Sequence, residues 1–357
     1  MTANGECVRI ERPLRIDLGG GWSDTPPICF DCGGAVLNVA VTLEGVRPVV
    51  AEVARISRRE VLVESVDLRR QTVLRRKSEI YARKNPRDWC ALVKSALTVT
   101  GYDFAEGGLS IRIFADVPKG SGMGTSSILG SALIEALLAV RGQKQRVGEI
   151  AALTLALERD MSTGGGWQDQ LGAMIPGVKL IESGSGENQR LRIRRLPEIA
   201  EKAFARFLSD RAVLYFTGQK RMARNILRGV VDFYQRNPEG IAKAIVSSLK
   251  KDARAGFAAI AKSDWPRLCA IVNSYWLNKK ALDPGSTNPQ VEMIIARIAP
   301  WTDAVSLTGA GGGGFLFAIA KSRTQRAKIE TVLRSAGNGG RIYSFAVDRG
   351  GKNETGA

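Results

Sequence analysis

The chain has 357 residues, 44% hydrophobic and 24% charged, an ordinary globular composition long enough for two domains with a sizeable core. It contains no histidine, which excludes His-dependent catalytic triads, HExxH zinc sites and deaminase-type zinc sites. Lys and Arg number 52 against 35 Asp and Glu, a formal charge of +17. No zinc finger, helical basic region or RNP pattern accompanies that charge, so an arginine-rich solvated face is expected rather than a nucleic-acid partner.

There is no apolar run of about 18 residues and no N-terminal leader pattern, so the expectation is a cytoplasmic protein with no membrane partner. The densest basic stretch runs from Arg55 to Lys84. The five cysteines are Cys7, Cys29, Cys32, Cys90 and Cys269. Cys29 and Cys32 have C-x-x-C spacing but no second pair to complete four ligands, and read as reduced thiols near a turn.

Branched residues and partial alternation predict strands over 36–45, 46–56, 59–68 and 109–117. A short helix is predicted over 89–98, a strong one over 126–142, and another over 147–160 that a glycine run stops. A charged connector over 184–200 opens a second compositional unit. It continues with a buried strand over 211–218 and helices over 221–236, 241–262 and 266–282. A helix over 291–298, two strands flanking the glycines within 304–320, and a strand from 341 complete it. The tail 352–357 is expected to fray. The pattern is α+β rather than a βαβ repeat, and the expected division is 1–195 and 196–357.

Glycine clusters occur at 19–21, 120–124, 164–166 and 309–314. None is a dinucleotide fingerprint, and none ends in GK[ST], which excludes a P-loop NTPase. Alone, each reads as a tight turn. The segment VPKGSGMGTSS (117–127) says more, because it lies between a strand and a strong helix. Gly120, Gly122 and Gly124 let backbone curl around an anion, while Thr125, Ser126 and Ser127 start a helix whose orphan amides and dipole favour phosphate. The same hydroxyls could serve simply as an N-cap.

RPLRIDLGGGWSD (12–24), PKGSGMGTSS (118–127) and SLTGAGGGGF (306–315) resemble, in order, the three motifs of the GHMP small-molecule kinase superfamily (galactokinase, homoserine kinase, mevalonate kinase, phosphomevalonate kinase). The resemblance implies an α+β two-domain fold: a mixed-sheet N-terminal domain, an α+β ferredoxin-like C-terminal domain, and an active site between them. It implies ATP and Mg2+ as cofactors, with the phosphates held by Lys119, Gly120, Ser121, Gly122, Met123, Gly124, Thr125, Ser126 and Ser127. Asp169, in GGGWQDQ, falls where the family places its active-site aspartate, which takes or orients the acceptor proton. Arg15 matches a position that is Arg in galactokinase and Lys in mevalonate kinase. Glu158, eleven positions before Asp169, and Ser126 match the metal ligands of mevalonate kinase. Asp24 matches the sugar contact of galactokinase. Trp22 or Trp167 is expected to stack on a sugar, and Gly311 to border the substrate pocket. Without the resemblance, Asp169 reads equally well as a helix cap, Arg15 as a strand-edge arginine, Glu158 as a solvated helix charge, Asp24 as a turn residue and each tryptophan as core.

Within the superfamily, GGWSDTPPICFDCGGAVLNVAV (20–41) and STGGGWQDQLGAMIPGVKL (162–180) resemble the L-fucokinase group, which includes the kinase half of bifunctional fucokinase/fucose-1-phosphate guanylyltransferases. LDPGSTNPQVE (282–292) and LYFTGQKRMARNIL (214–227) are also similar to D-glycero-D-manno-heptose 7-phosphate kinases. The implied reaction is phosphorylation of an anomeric hydroxyl, with L-fucose as first candidate and the heptose 7-phosphate as second. The 357 residues leave no room for a guanylyltransferase half, so the expectation is a stand-alone kinase or a kinase fragment of a bifunctional protein. Galactokinase carries a Glu-His pair where Gly21 and Trp22 stand, which argues against galactose. The non-enzyme alternative is a catalytically inactive sugar-sensing regulator, against which the presence of Arg15, Ser126, Glu158 and Asp169 speaks. The oligomeric state is left open, a homodimer included.

Overall fold

In the computed structural model, residues 7–81, 88–219, 223–237, 240–336 and 339–350 are described. The chain opens with strands β1 (Cys7–Arg12) and β2 (Leu14–Gly19), helix α1 (Ile28–Cys32), and strands β3 (Ala35–Leu43), β4 (Val49–Ile56), β5 (Val61–Ser65) and β6 (Arg70–Leu74). Helices α2 (Lys77–Tyr81) and α3 (Ala91–Val99) lead to β7 (Gly108–Ala115). Helices α4 (Thr125–Ala139), α5 (Val147–Asp160) and α6 (Gln168–Met174) precede β8 (Val178–Ser183) and β9 (Leu191–Arg195). The second half runs α7 (Glu198–Arg211), β10 (Ala212–Phe216), α8 (Ala223–Arg236), α9 (Ile241–Ala261), α10 (Trp265–Leu282) and α11 (Pro289–Ile298). It ends with β11 (Thr302–Leu307), β12 (Phe315–Ala320), α12 (Arg323–Arg334), β13 (Arg341–Tyr343) and β14 (Phe345–Val347). The tail 352–357, the start of the helix expected over 221–236 and the end of the basic stretch from Arg55 lie outside the described residues.

The α+β organisation with a mixed N-terminal sheet is present. The first sheet has the order β1-β4-β7-β5-β6, antiparallel except where β5 runs parallel to β7. A second sheet has the order β14-β3-β8-β9, with β2 also paired to β3. The third, β11-β12-β10-β13, is antiparallel and belongs to the second half. The segment read as a connector contains β9, a five-residue sheet edge in which only Leu191 and Ile193 alternate with the exposed Arg192, Arg194 and Arg195. Strand β14 pairs back onto β3, from Phe345 opposite Leu43 to Val347 opposite Val41. A division at 195/196 therefore assigns to the second unit a strand bonded into the sheet of the first.

Two cores position the site. Ala51 and Val53 of β4, Val61 and Val63 of β5, and Ile111 and Ile113 of β7 pack with Val93 and Leu97 of α3 and Leu133 and Leu137 of α4. Leu14, Ile16 and Leu18 of β2 pack with Leu37 and Val39 of β3, Ile128 of α4, Ala253 and Ile260 of α9, Leu268 and Val272 of α10, and Phe315 and Phe317 of β12. The two halves thus share apolar contacts, and truncating a buried residue such as Leu37 to Ala costs about 2–5 kcal/mol. Successive residues of a strand face opposite ways. With Leu14, Ile16 and Leu18 turned into this core, Arg15 and Asp17 are turned to the other face of β2, where the glycine loops lie. Among the described residues no helix is long and apolar enough to cross a membrane. The five cysteines are free thiols; Cys29 is buried on α1, and Cys32 Sγ lies 3.2 Å from the Tyr234 hydroxyl.

Candidate active site

The loop between β7 and α4 ends at Gly124, the N-cap of α4, in a left-handed conformation (φ 73°). A Cβ there would lie 2.6 Å from the Asp169 carboxyl carbon, so this position needs glycine both for its backbone and for its neighbour. The 309–314 loop docks on the same segment. Phe315 N donates to Ser121 O at 2.9 Å, and Gly309 (φ 60°) abuts Gly122 O so closely that no side chain fits. The first-turn amides of α4 have no acceptor within the helix and, with its dipole, suit an anion.

Above this loop the structure brings together the two residues expected to do chemistry. Arg15 donates to Asp169 Oδ1 through Nε at 2.7 Å and through NH2 at 2.5 Å. Both bonds fall on one oxygen, and no protein donor to Oδ2 is found among the described residues. The Asp169 side chain is 26% exposed, whereas that of Arg15 is 3% exposed. Through NH1, Arg15 donates to Asp17 Oδ1 at 2.8 Å and to Gly122 O at 3.2 Å. Burial works against the Arg15 cation, but Asp169 and Asp17 outweigh it and hold its pKa above the ordinary value.

Glu158, on α5, is buried and accepts from Gly165 N at 2.7 Å and from the Ser127 hydroxyl. Burial, partly countered by the Ser127 bond, pushes its carboxyl up to about 7. Ser126, expected with Glu158 as a metal ligand, lines the same cleft, but the hydroxyl bonded to Glu158 is that of Ser127. Neighbouring residues on a helix point about 100° apart, so Ser127 turns to α5 while Ser126 is exposed on the cleft wall.

Three further residues expected at the site lie off the cleft wall. Asp24 does not line the cleft: it is fully buried, and its oxygens accept from Gln168 N at 3.0 Å and Gln168 Nε2 at 3.1 Å. The residue on the wall is Gln168. Burial pushes the Asp24 carboxyl up to about 7. Trp167 is core, packed with Val36, Ala151, Leu171 and Ile181, because α6 starts with its apolar side against the second sheet. The Met123 side chain is likewise buried among Leu14, Ile128 and Phe315. Lys119, Gly120, Ser121, Gly122, Gly124, Thr125, Ser126 and Ser127 do line the cleft, as do Trp22 and Gly311. Trp22 shows the cleft only an edge, and most of its ring packs against Ile28, Ile226 and Tyr275.

The cleft has a volume of about 590 Å³. Its lining includes an apolar group, Leu68, Trp89, Leu92, Ile113 and Leu129, of which all but Leu68 pack with the first core. It also includes a second group, Trp22, Thr25, Gln168 and Leu227, of which Trp22 and Leu227 pack in a separate cluster. The Arg15–Asp169 pair and the 118–127 loop lie on the same wall. Sequence reasoning did not single out Asp17, Gln168, Trp89 or Lys279. Only Asp17 left a signal, its i, i+2 spacing from Arg15 on a strand.

Residues 91–177 match the family described as GHMP kinases N terminal domain, and 257–339 match GHMP kinases C terminal. A bifunctional fucokinase/GDP-fucose pyrophosphorylase from Arabidopsis thaliana is 35% identical over 344 residues, covering 95% of this chain and 32% of that protein. The chain thus spans about a third of that relative. A D-glycero-alpha-D-manno-heptose 7-phosphate kinase from Campylobacter jejuni is 29% identical over 339 residues, covering 93% of this chain and 95% of that one. Lactococcus lactis galactokinase complexed with galactose superposes with a TM-score of 0.75 at 15% identity, over 97% of this chain and 94% of that one, a likeness of fold. Fold, motif order and matches in both halves agree: this chain belongs to the GHMP kinase superfamily.

Proposed function

We propose that the protein transfers the γ-phosphoryl group of ATP to the anomeric hydroxyl of a sugar, with L-fucose as the acceptor. The observation that carries this reading is the Arg15–Asp169 pair, bonded at 2.5–2.7 Å beside a glycine loop that opens a helix. The apolar group of the cleft lining suits a purine base beside Trp89, which directs the phosphates along residues 118–127 toward α4. Asp169 accepts or orients the proton of the sugar hydroxyl, and Arg15 stabilises charge on the attacking and transferring oxygens. In phosphoryl transfer such positioning and charge stabilisation account for most of the catalysis.

Glu158, its bonded Ser127 and the adjacent Ser126 are hard oxygen donors beside the phosphate loop and fit Mg2+, which takes few protein ligands when phosphates supply the rest. Bound there, the ion would neutralise phosphate charge. Gln168, held by Asp24, and Trp22, Thr25 and Leu227 form a neutral acceptor wall that suits an uncharged sugar.

One observation favours the heptose 7-phosphate as a second reading. A neighbouring recess of about 470 Å³ shares Thr163 and Leu227 with the cleft and carries Arg159 and Arg228, cations able to meet a second phosphate. The test is a panel of free sugars and sugar 7-phosphates with Mg-ATP, identifying each product by its anomeric phosphate. L-Fucose should lead. Turnover of the phosphorylated heptose alone would replace the acceptor but keep the kinase, and ligand binding without ADP release would leave only a regulator.

A further inference from the structure

We propose that Asp17 is a positioning residue: its buried carboxylate fixes the Arg15 guanidinium against Asp169 and ties that geometry to the 309–314 loop and to α10. The inference deepens the phosphotransfer reading and rests on it for its kinetic arm.

Asp17 has a fully buried side chain and four donors. Oδ1 accepts from Arg15 NH1 at 2.8 Å and from Gly309 N at 2.8 Å. Oδ2 accepts from the Tyr275 hydroxyl and faces Lys279 Nζ at 3.5 Å. That fills the acceptor capacity of an ionised carboxylate. The donors come from three places: β2, the third glycine loop and α10. Arg15 is gripped in turn from two sides, by Asp169 through Nε and NH2 and by Asp17 and Gly122 O through NH1.

Lys279 is itself anchored, donating to Leu307 O at 2.6 Å and lying 4.7 Å from the Tyr275 ring centre. Burying three charges costs more than it returns in stability when apolar packing could replace them. What the cluster supplies is orientation. Neutralising Arg15 does not require Asp17, because Asp169 already pairs with it. Asp17 instead removes the rotational freedom of the guanidinium and makes its place depend on how α10 and the 309–314 loop sit on β2. A misplacement of about 1 Å can cost about a hundredfold in rate.

The test is a mutant cycle on the full chain. Asp17→Asn keeps an acceptor for Arg15 and Gly309 but turns an amide donor toward Tyr275 and Lys279. It should lower kcat about a hundredfold with KM for ATP and sugar changed less than about threefold. Tyr275→Phe, which removes one hydroxyl and keeps the ring, should lower kcat about tenfold and serves if Asp17→Asn does not fold. On an Arg15→Ala background neither substitution should lower kcat further, because both act through Arg15. Wild-type kcat in either variant, or losses that multiply undiminished on Arg15→Ala, would overturn the proposal. A crystal structure of Asp17→Asn reads the same point without a substrate. Loss of the 2.7 Å Arg15–Asp169 contact supports the proposal and an unmoved guanidinium rejects it, even if no sugar in the panel is turned over.

Discussion

Gly124 and Asp169 are in mutual contact across the cleft wall: the place where a Cβ would stand at 124 is 2.6 Å from the carboxyl carbon of Asp169. In the proposed reaction, the start of α4 that would receive phosphate and the Asp169 carboxylate are therefore set by one backbone position. Gly124→Ala must either hold a left-handed conformation at a cost of about 1–2 kcal/mol and push Asp169 off Arg15, or leave that conformation and shift the loop. Expected is a fall in kcat of about a hundredfold with a smaller loss of ATP affinity, read by steady-state kinetics and calorimetry.

Asp169→Asn and Asp169→Ala should each cost about a hundredfold to ten-thousandfold in kcat while nucleotide still binds, since general-base or orienting groups contribute on that scale. Arg15→Lys keeps the charge but loses the two-nitrogen grip on Oδ1, so kcat should fall although the fold persists. Near-normal turnover in both Asp169 variants would remove this residue from the mechanism.

Trp89 stands in the apolar group of the cleft lining with Leu92 and Ile113. If a purine lies there, stacking of about 1–3 kcal/mol is lost in Trp89→Ala, and KM for ATP should rise about tenfold. Saturating ATP should restore kcat, because the ring is remote from the transferred group. An unchanged KM with a lowered kcat would place the nucleotide base elsewhere.

What the sequence made legible was set by local chemistry. The strand–glycine–helix pattern of 117–127 announces its own geometry, and of the residues singled out by motif Arg15 and Asp169 bond each other while Glu158 lines the same cleft. Alternation found β3, β4, β5 and β7, which have one face in a core. It failed at β9, where Leu191 and Ile193 are the only apolar residues of a five-residue edge inside a charged stretch, and at the return of β14 to β3, a pairing about 300 positions apart along the chain. A motif gives the residue but not its direction, and a single helical step separates exposed Ser126 from the Ser127 that bonds Glu158. The roles of Asp17 and Lys279 depend on a contact between β2 and α10 that no local pattern encodes.

Asp24 makes the stability of the protein depend on pH. Burial raises its carboxyl from 3.8 to about 7, so between about pH 4 and pH 7 the folded chain keeps a proton that the unfolded chain releases. The folded state is thereby favoured in full below that window, and the contribution is lost as pH rises through about 7. The slope is at most about 1.4 kcal/mol per pH unit. Glu158 acts in the same direction, so Asp24 accounts for only part of the decline. Asp24→Asn cannot titrate, and its carbonyl can still accept from Gln168 N. Denaturant unfolding at pH 5 and pH 7.5 should therefore show a smaller loss of stability in the variant than in the wild type. Equal losses would mean that Asp24 is already ionised at pH 5 and that Gln168 is held by a charged partner throughout.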